Sequence, residues 1–338
     1  MSASAQAQQD VETLTKNLRD FSVKYVKISE ADMARSKKLV QTYVESQVME
    51  YCKQNSILPI LRLEYAGSVY EGLKTEAADE VDIKVVLKTN SQEVKVEDSG
   101  IPGYVRIKAA TGSNLCRYAD HEGYINPERL RNRWFHSLVD QAVNAFNSSS
   151  PSSDVHLVVR YHGPAIQLDI TSRRSREVLL SADLVPCIHM GGDDYFVAKG
   201  AHPGLLWKKS FSLLEKALLQ HMDKDHGCRH ELLRIVKTIV NREHSTLPAL
   251  ESYHLKTTFM HYLREKPSSH WSYPNSLGEH FIGFVGKLQA YLEGGRLPNY
   301  WLPPVNLLEG IEPRVVQNTA NRLKNILCKP KKRDKVLE

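Results

Sequence analysis

Several features of secreted and membrane proteins are missing from this sequence. Its five cysteines are scattered and form no Cys-x-x-Cys pair, so they do not make a disulfide framework. No run of about eighteen apolar residues occurs, which argues against a membrane-spanning helix. The first ten residues are small and polar, unlike a secretory signal. We therefore expect a protein that does not associate with membranes. Its expected location is a reducing compartment, the cytoplasm and in addition the nucleus.

The charge balance is only modestly basic. Lys and Arg number 45 against 39 Asp and Glu, which gives a net charge of +6. This excess is compatible with a polyanionic partner but does not identify one, because many unrelated proteins are equally basic. With 338 residues, the chain is long enough for two domains or for one two-lobed enzyme.

Apolar spacing predicts a long helix near the start of the chain. Residues 1–20 are polar and are expected to form a mobile N-terminal tail. From Ser29 to Asn55 the apolar residues recur at helical spacing. Ser29 and Asp32 fit the Ser-x-x-acid pattern of a capping box, which marks the helix start.

The periodicity then changes from strand-like to helical. Alternating apolar residues between about 58 and 201 predict strands, interrupted by one helix that begins at Pro127. After Trp207 the pattern is almost entirely helical. The fold class is therefore α+β, with a mixed-sheet lobe and a helical lobe. The predicted regions after the tail are a core with the long helix over 21–204, a helical lobe over 205–328 and a basic tail over 329–338.

One stretch combines a glycine-serine turn with acidic residues on predicted strands. Gly67 follows a strand and lets the backbone approach a ligand, while Ser68 adds a hydroxyl donor at the start of a short predicted helix. Glu80 and Asp82 are two residues apart in a strand, so both face the same side. Asp169 faces away from its apolar neighbours in a later strand. If the two strands are adjacent, three carboxylates converge beside the turn.

This arrangement suits a nucleoside triphosphate carried as its magnesium complex. Mg²⁺ prefers hard oxygen ligands, usually a few carboxylates together with substrate phosphates. Two ions roughly 3.5–4 Å apart can activate an attacking hydroxyl and stabilise the pyrophosphate leaving group. Asp169 would assist the ion nearer the hydroxyl or act as the base. Each feature alone is commonly a plain turn or a solvated strand face, whereas their combination predicts a metal-dependent nucleotidyltransferase.

The sequence resembles the cyclic GMP-AMP synthase-like receptors, within the male-abnormal family of nucleotidyltransferases. The resemblance covers residues from about 25 to 328, and its motifs occur in the family's order and at similar spacing. The motifs are Gly67-Ser68, Glu80-Val81-Asp82, Asp169, the segment opening at Trp207, Cys228-Arg229 with Leu232-Leu233 and Lys237, residues 252–257 (Ser-Tyr-His-Leu-Lys-Thr), Trp271, Leu277-Gly278, and residues 299–303 with Asn306-Leu307.

The resemblance implies a bilobal enzyme that nucleic acid activates to join nucleoside triphosphates, such as ATP and GTP, into a cyclic dinucleotide. This messenger of innate immunity would act on a STING-type receptor. Glu80, Asp82 and Asp169 would bind Mg²⁺, with Mn²⁺ as an alternative, and Tyr253 would stack on a base. The residues that would contact nucleotides are Gly67, Ser68, Lys208, Ser210, Ser212, Lys237, Ser252 and Tyr253.

Two departures from the family bear on the activator and the product. Vertebrate relatives carry a zinc-binding insertion before the helix that opens here at Cys228. This chain has only His221, His226, Cys228 and His230 there, which is not the paired-ligand pattern of zinc sites, so zinc is not expected. Relatives without the insertion tend to recognise double-stranded RNA, which is therefore predicted over DNA. Lys208 replaces a base-reading arginine and cannot make its bidentate contact, so the base preference stays open.

Basic residues on two predicted helices are candidates for contacts with double-stranded RNA, which proteins read through phosphates, 2′-hydroxyls and groove shape. A solvated charged face is the alternative for each of them, and a dimer on the nucleic acid is a further expectation. Two other functions stay open, a catalytically silent scaffold or nucleic-acid-binding protein and a transferase that makes linear oligonucleotides. The candidate residues are Lys27, Arg35, Lys37, Lys38, Arg229 and Arg234.

Overall fold

The chain folds as two units, each built from segments that are separate in sequence. The computed structural model describes residues 3–75, 77, 79–162, 165–198, 205–273 and 276–338. The sheet unit comprises Ser29–Glu71 and Ala77–Gln220. The helical unit comprises Met1–Ile28, Gly72–Glu76 and His221–Glu338. A mixed sheet in one unit and helices in the other confirm the predicted α+β fold class.

Nine strands within the described residues of the sheet unit form one mixed sheet, in which β2 and β7 are parallel neighbours. Along the main path the strand order is β1-β2-β7-β8-β9-β4-β3, and β6 pairs with β7 on one side and β5 on the other. The strands are β1 (Ile60–Ala66), β2 (Glu80–Leu87), β3 (Val94–Asp98), β4 (Tyr104–Ala109), β5 (Val155–His162), β6 (Ala165–Ser172), β7 (Val178–His189), β8 (Tyr195–Val197) and β9 (Leu206–Lys209).

The predicted long helix is present in the sheet unit. Its cap is confirmed, because the Ser29 hydroxyl accepts a hydrogen bond from the Asp32 backbone N–H at 3.0 Å. The helix after residue 126 begins at Pro127, as the sequence predicts. The helical segments of the sheet unit are α2 (Glu30–Leu39), the π-helical Val40–Met49, α3 (Glu50–Asn55), the 3-10 helix Asn114–Tyr118, α4 (Pro127–Arg129), the π-helical Leu130–His136, α5 (Ser137–Ser149) and α6 (Ser212–Leu219).

The two faces of the sheet have different cover. Val81, Ile83 and Val85 of β2 are buried in the main core, which also contains Val44 and Val48 of the long helix. The residues of β2 that alternate with these three point to the opposite face of the sheet, because successive side chains of a strand lie on opposite faces. On that second face a smaller apolar cluster includes Leu213 of α6 and covers the end of β2. The beginning of β2 on this face carries exposed side chains.

The helical unit differs from the prediction at both ends of the chain. Residues predicted to form a mobile tail form α1, because Leu14, Leu18 and Phe21 make an apolar stripe that is buried. The predicted basic tail forms α11, in which Val336 and Leu337 are buried. The α-helices of the helical unit are α1 (Ala3–Phe21), which continues as the π-helical Ser22–Val26, α7 (Arg229–Arg242), α8 (Ser252–Glu265), α9 (Ser276–Glu293), α10 (Pro313–Cys328) and α11 (Pro330–Leu337).

One glycine of the helical unit allows two helices to pack closely. A Cβ added at Gly278 of α9 would lie 2.5 Å from the Thr15 hydroxyl of α1, so the glycine permits the close approach of these helices.

Residues 205–220, predicted to open the helical lobe, instead supply β9 and α6 to the sheet unit. In the described part of the chain, every helix is too short or too polar to span a lipid bilayer.

Candidate active site

The acids predicted on β2 lie at the exposed beginning of this strand. Glu80 and Asp82 are both exposed, while Val81 and Ile83 between and beside them are buried in the core. This confirms that the two carboxylates share one face of the strand. On that strand face, residues two apart are separated by about 6.5 Å, so the two side chains can bind a common ligand.

Strand pairing adds an acid that the sequence analysis missed. Asp82 pairs with Ala66 of β1 on one side and with Asp183 of β7 on the other. Paired residues point to the same face, and neighbouring strands are about 4.8 Å apart. Asp183 is half-buried, and it lies between the buried Ala182 and Leu184. The available sequence signal was this acid between apolar residues, the same signal that selected Asp169.

The structure places Asp169 differently from the prediction. The strands of Asp82 and Asp169 are not adjacent, since β7 lies between them. Asp169 is 1% exposed and pairs with Ser181, not with an acid. Its carboxylate accepts hydrogen bonds from Arg160 Nε at 2.6 Å, Gln167 Nε2 at 2.7 Å and Ser181 Oγ at 2.8 Å. A buried carboxylate with three protein donors is poorly suited to bind a metal ion.

The Gly67-Ser68 turn lies directly beside Asp82. Gly67 has a φ of +79°, and a Cβ added there would lie 2.1 Å from Asp82 Oδ2. Its carbonyl oxygen accepts hydrogen bonds from the backbone N–H groups of Tyr70 at 3.1 Å and Glu71 at 3.0 Å. The predicted short helix is thus a hydrogen-bonded turn. Only glycine allows both this backbone conformation and this approach to the carboxylate.

A buried lysine extends the same face beyond Asp82. Lys84 is 7% exposed and donates a hydrogen bond to the hydroxyl of Ser212, at the start of α6. Burial lowers the pKa of Lys84, while the nearby Cys187 and Asp82 act in the opposite direction. The Ser212 hydroxyl also lies 3.3 Å from that of Ser210. The structure therefore brings two of the predicted nucleotide-binding serines together with a cation on the acidic face.

The other predicted nucleotide contacts divide between the units. In the sheet unit, Lys208 is exposed on β9. In the helical unit, Lys237 donates a hydrogen bond to the Leu73 carbonyl at 3.0 Å. Ser252 is exposed at the start of α8, and the hydroxyl of the neighbouring half-buried Tyr253 accepts a hydrogen bond from Asn299 at 3.4 Å. These roles stay predictions.

The predicted nucleic-acid contacts are not equally accessible. Arg229 is only 5% exposed, and its guanidinium binds Asp225 at 2.6 Å and stacks on Trp271. The expectation that Arg229 contacts phosphates is wrong, because this side chain is part of the packing of the helical unit. Arg234 is partly buried, and burial lowers its pKa. The exposed candidates are Lys27, Arg35, Lys37 and Lys38.

The donor set on the exposed face fits a divalent cation. Glu80, Asp82 and Asp183 offer only carboxylate oxygens, the hard ligands that Mg²⁺ prefers. Among the described residues, no three His, Cys, Asp or Glu side chains already surround one point at metal-binding distance. Like charges on neighbouring strands repel one another, so convergence of these acids requires a counter-charge.

Comparisons with known proteins give two family matches and several relatives. Residues 69–221 match the Mab-21 protein nucleotidyltransferase domain, and residues 228–325 match the Mab-21 protein HhH/H2TH-like domain. The chain is 47% identical to cyclic GMP-AMP synthase-like receptor 3 of Stylophora pistillata, over 97% of this chain and 99% of that protein. It is 25% identical to a cyclic GMP-AMP synthase-like receptor of Tribolium castaneum, over 92% of this chain and 87% of that protein.

Proposed function

Because the chain belongs to the cyclic GMP-AMP synthase-like receptors and is a nucleotidyltransferase, we propose that double-stranded RNA activates it to make a cyclic dinucleotide from two nucleoside triphosphates. One observation carries this proposal: the turn at Gly67 and the acids Asp82 and Asp183 lie side by side across β1, β2 and β7. The product would be an innate immune messenger for a STING-type receptor, made in the cytoplasm.

We assign the binding of Mg²⁺ to Glu80, Asp82 and Asp183. Asp183 takes the place first predicted for Asp169, because it is the direct neighbour of Asp82 and is more exposed. Mg²⁺ bound there would stabilise the negative charge that develops on the transferred phosphoryl group and the leaving pyrophosphate. The three carboxylates would also fix the position of the triphosphate relative to the turn.

The order of the residues along the sheet supports a separate role for each of them in the proposed reaction. The Gly67 backbone and the Ser68 hydroxyl would bind the phosphates that leave. An in-line attack then places the attacking hydroxyl on the opposite side of the α-phosphorus, which is the side of Asp183. The hydroxyl oxygen bonds to the α-phosphorus, the bond to pyrophosphate breaks, and Asp183 accepts the proton. In a second transfer, a free hydroxyl of the linear intermediate attacks the α-phosphorus of its own triphosphate, which closes the ring and releases a second pyrophosphate.

A product assay tests this function. The protein would be incubated with labelled ATP, GTP, CTP and UTP, Mg²⁺, and either double-stranded RNA or DNA. We expect a phosphatase-resistant product with RNA, and its loss in the variant Glu80→Ala/Asp82→Ala. The control Glu122→Ala/Asp193→Ala removes two exposed acids from turns and should retain the product. A linear product would favour an oligonucleotide-making transferase, and no product with any activator would favour a silent scaffold.

The exposed cations of α2 are the proposed contacts to RNA. Arg35, Lys37 and Lys38 are all exposed on this helix. For Lys37→Glu/Lys38→Glu we expect roughly a tenfold or greater rise in the Kd for double-stranded RNA. The slope of log affinity against log salt should fall by about 2, because two phosphate contacts are lost. The measurement is fluorescence anisotropy at several salt concentrations.

A control of equal charge change separates local contacts from net charge. Lys53→Glu/Lys88→Glu alters two other exposed lysines of the sheet unit and should change the Kd by less than about threefold. Equal losses in both double variants would show a general electrostatic effect. An unchanged Kd for the α2 variant would place the RNA on another surface.

A further inference from the structure

The pair formed by Arg160 and Asp169 has a geometry that a solvated surface ion pair lacks. The Arg160 side chain is 60% exposed, whereas that of Asp169 is 2% exposed. Arg160 Nε donates to Asp169 Oδ2 at 2.6 Å. Among the described residues, this is the one hydrogen bond that the Arg160 guanidinium donates. An arginine has four further N–H groups, on Nη1 and Nη2. A fixed, exposed guanidinium is therefore presented to ligands.

Stability alone does not account for this arrangement. Taking a carboxylate out of water is costly, and an apolar side chain of similar size is often as stable in its place. Gln167 and Ser181 also donate to Asp169, so three side chains are committed to one buried charge. Together these hydrogen bonds hold Asp169 in place, and Asp169 in turn fixes the orientation of the Arg160 side chain on β5.

Strand register places Arg160 on the face that carries the metal-binding acids. Arg160 pairs with Gln167, and Gln167 pairs with Asp183. Asp183 in turn pairs with Asp82, which lies beside the turn at Gly67. Paired residues share a face, so these side chains form one row across five strands. Arg160 is at the end of the row opposite the turn, with its Cα about 10 Å from that of Asp183.

In-line transfer determines which end of this row faces the leaving pyrophosphate and which end faces the acceptor nucleotide. Pyrophosphate leaves at the turn beside Gly67, so the nucleotide that supplies the attacking hydroxyl must approach from the Asp183 side. That acceptor nucleotide carries its own triphosphate. We propose that Arg160 binds the phosphates of the acceptor nucleotide, and that Asp169 is the positioning residue that holds Arg160 toward them. A guanidinium suits this task because it can bind two phosphate oxygens at once.

This inference rests on the proposed function, and steady-state kinetics test it. With saturating ATP as donor and GTP as varied acceptor, Arg160→Ala should raise the KM for GTP roughly 10- to 100-fold, the worth of a charge-assisted hydrogen bond. The kcat should change less than threefold, as should the KM for ATP with GTP saturating. Arg160→Lys should recover part of the loss. An unchanged KM for GTP would overturn the proposal.

Guanosine separates phosphate binding from a general distortion of the site. It competes with GTP but carries no phosphate, so its inhibition constant should be the same in the wild type and in Arg160→Ala. An equal weakening of guanosine and GTP would overturn the proposal in favour of a structural role. The variant Arg160→Met/Asp169→Leu removes the ion pair while retaining side-chain volume, and it should have the same high KM as Arg160→Ala. A wild-type KM in this double variant would also overturn it.

A binding measurement keeps the proposal independent of turnover. GTP would be titrated calorimetrically into the protein with double-stranded RNA, Ca²⁺ and saturating α,β-methylene ATP, a donor analogue that cannot be transferred. We expect Arg160→Ala to weaken GTP binding roughly tenfold or more. If the wild type makes no product, the proposed function fails, yet the ratio of the two dissociation constants still decides the role of Arg160. Equal constants would overturn that role.

Discussion

Asp183→Asn is expected to lower kcat about 10²- to 10³-fold, whereas Asp169→Asn should lower it less than about tenfold. We have proposed that Asp183 holds the catalytic ions, and loss of such a carboxylate removes several kcal/mol of charge stabilisation in the transition state. Each ~1.4 kcal/mol is a factor of ten in rate. Both substitutions preserve side-chain shape and remove one charge. The two acids also lie on neighbouring strands, so each variant is the matched control of the other.

Metal titration distinguishes a ligand from a structural acid. The Mg²⁺ concentration for half-maximal rate should rise in Asp183→Asn and stay near the wild-type value in Asp169→Asn. Thermal unfolding of both variants verifies that the sheet is intact. If Asp169→Asn shows the larger loss of kcat and the higher Mg²⁺ requirement, the assignment of the third carboxylate reverts to Asp169 and the role given to Asp183 is wrong.

These two acids show how far the sequence predicts the site. The alternation of apolar and acidic residues was enough to place Glu80 and Asp82 on one face of a strand, and the structure confirms it. Asp169 and Asp183 each stand between apolar residues on successive strands, so alternation alone cannot rank them. The deciding fact is that β7, and not β6, is the neighbour of β2. Strand order depends on contacts between distant segments, which no local pattern encodes.

The same limit explains the errors at the ends of the chain. Leu14, Leu18 and Phe21 have helical spacing, but the polar residues around them suggested a solvated tail. They are buried because α1 packs against α9, more than 250 residues later in the chain. Arg229 was expected to contact nucleic acid because it is a basic residue on the helix after Cys228, yet Asp223 and Asp225 surround its guanidinium. Local patterns predicted the elements, while burial depended on tertiary partners.

Gly67→Ala is expected to lower kcat about 100-fold. The substitution has two effects, since alanine at a φ of +79° is strained and its Cβ would lie 2.1 Å from Asp82 Oδ2. The carboxylate must move by an ångström or more to relieve this contact. Displacement of a catalytic group by about 1 Å can cost two orders of magnitude in rate. Steady-state rates with saturating nucleotides and Mg²⁺ measure the effect.

Gly112→Ala separates the two effects. Gly112 has a similar φ of +84°, but nothing lies within 4 Å of a Cβ added there. Both variants should lose about 1–2 kcal/mol of unfolding free energy, because each places alanine in the left-handed region. Only Gly67→Ala should then lose kcat, while Gly112→Ala stays within about twofold of the wild type. Equal kcat values in the two variants would show that the turn does not position Asp82 for catalysis, and the role proposed for Gly67 would have to be abandoned.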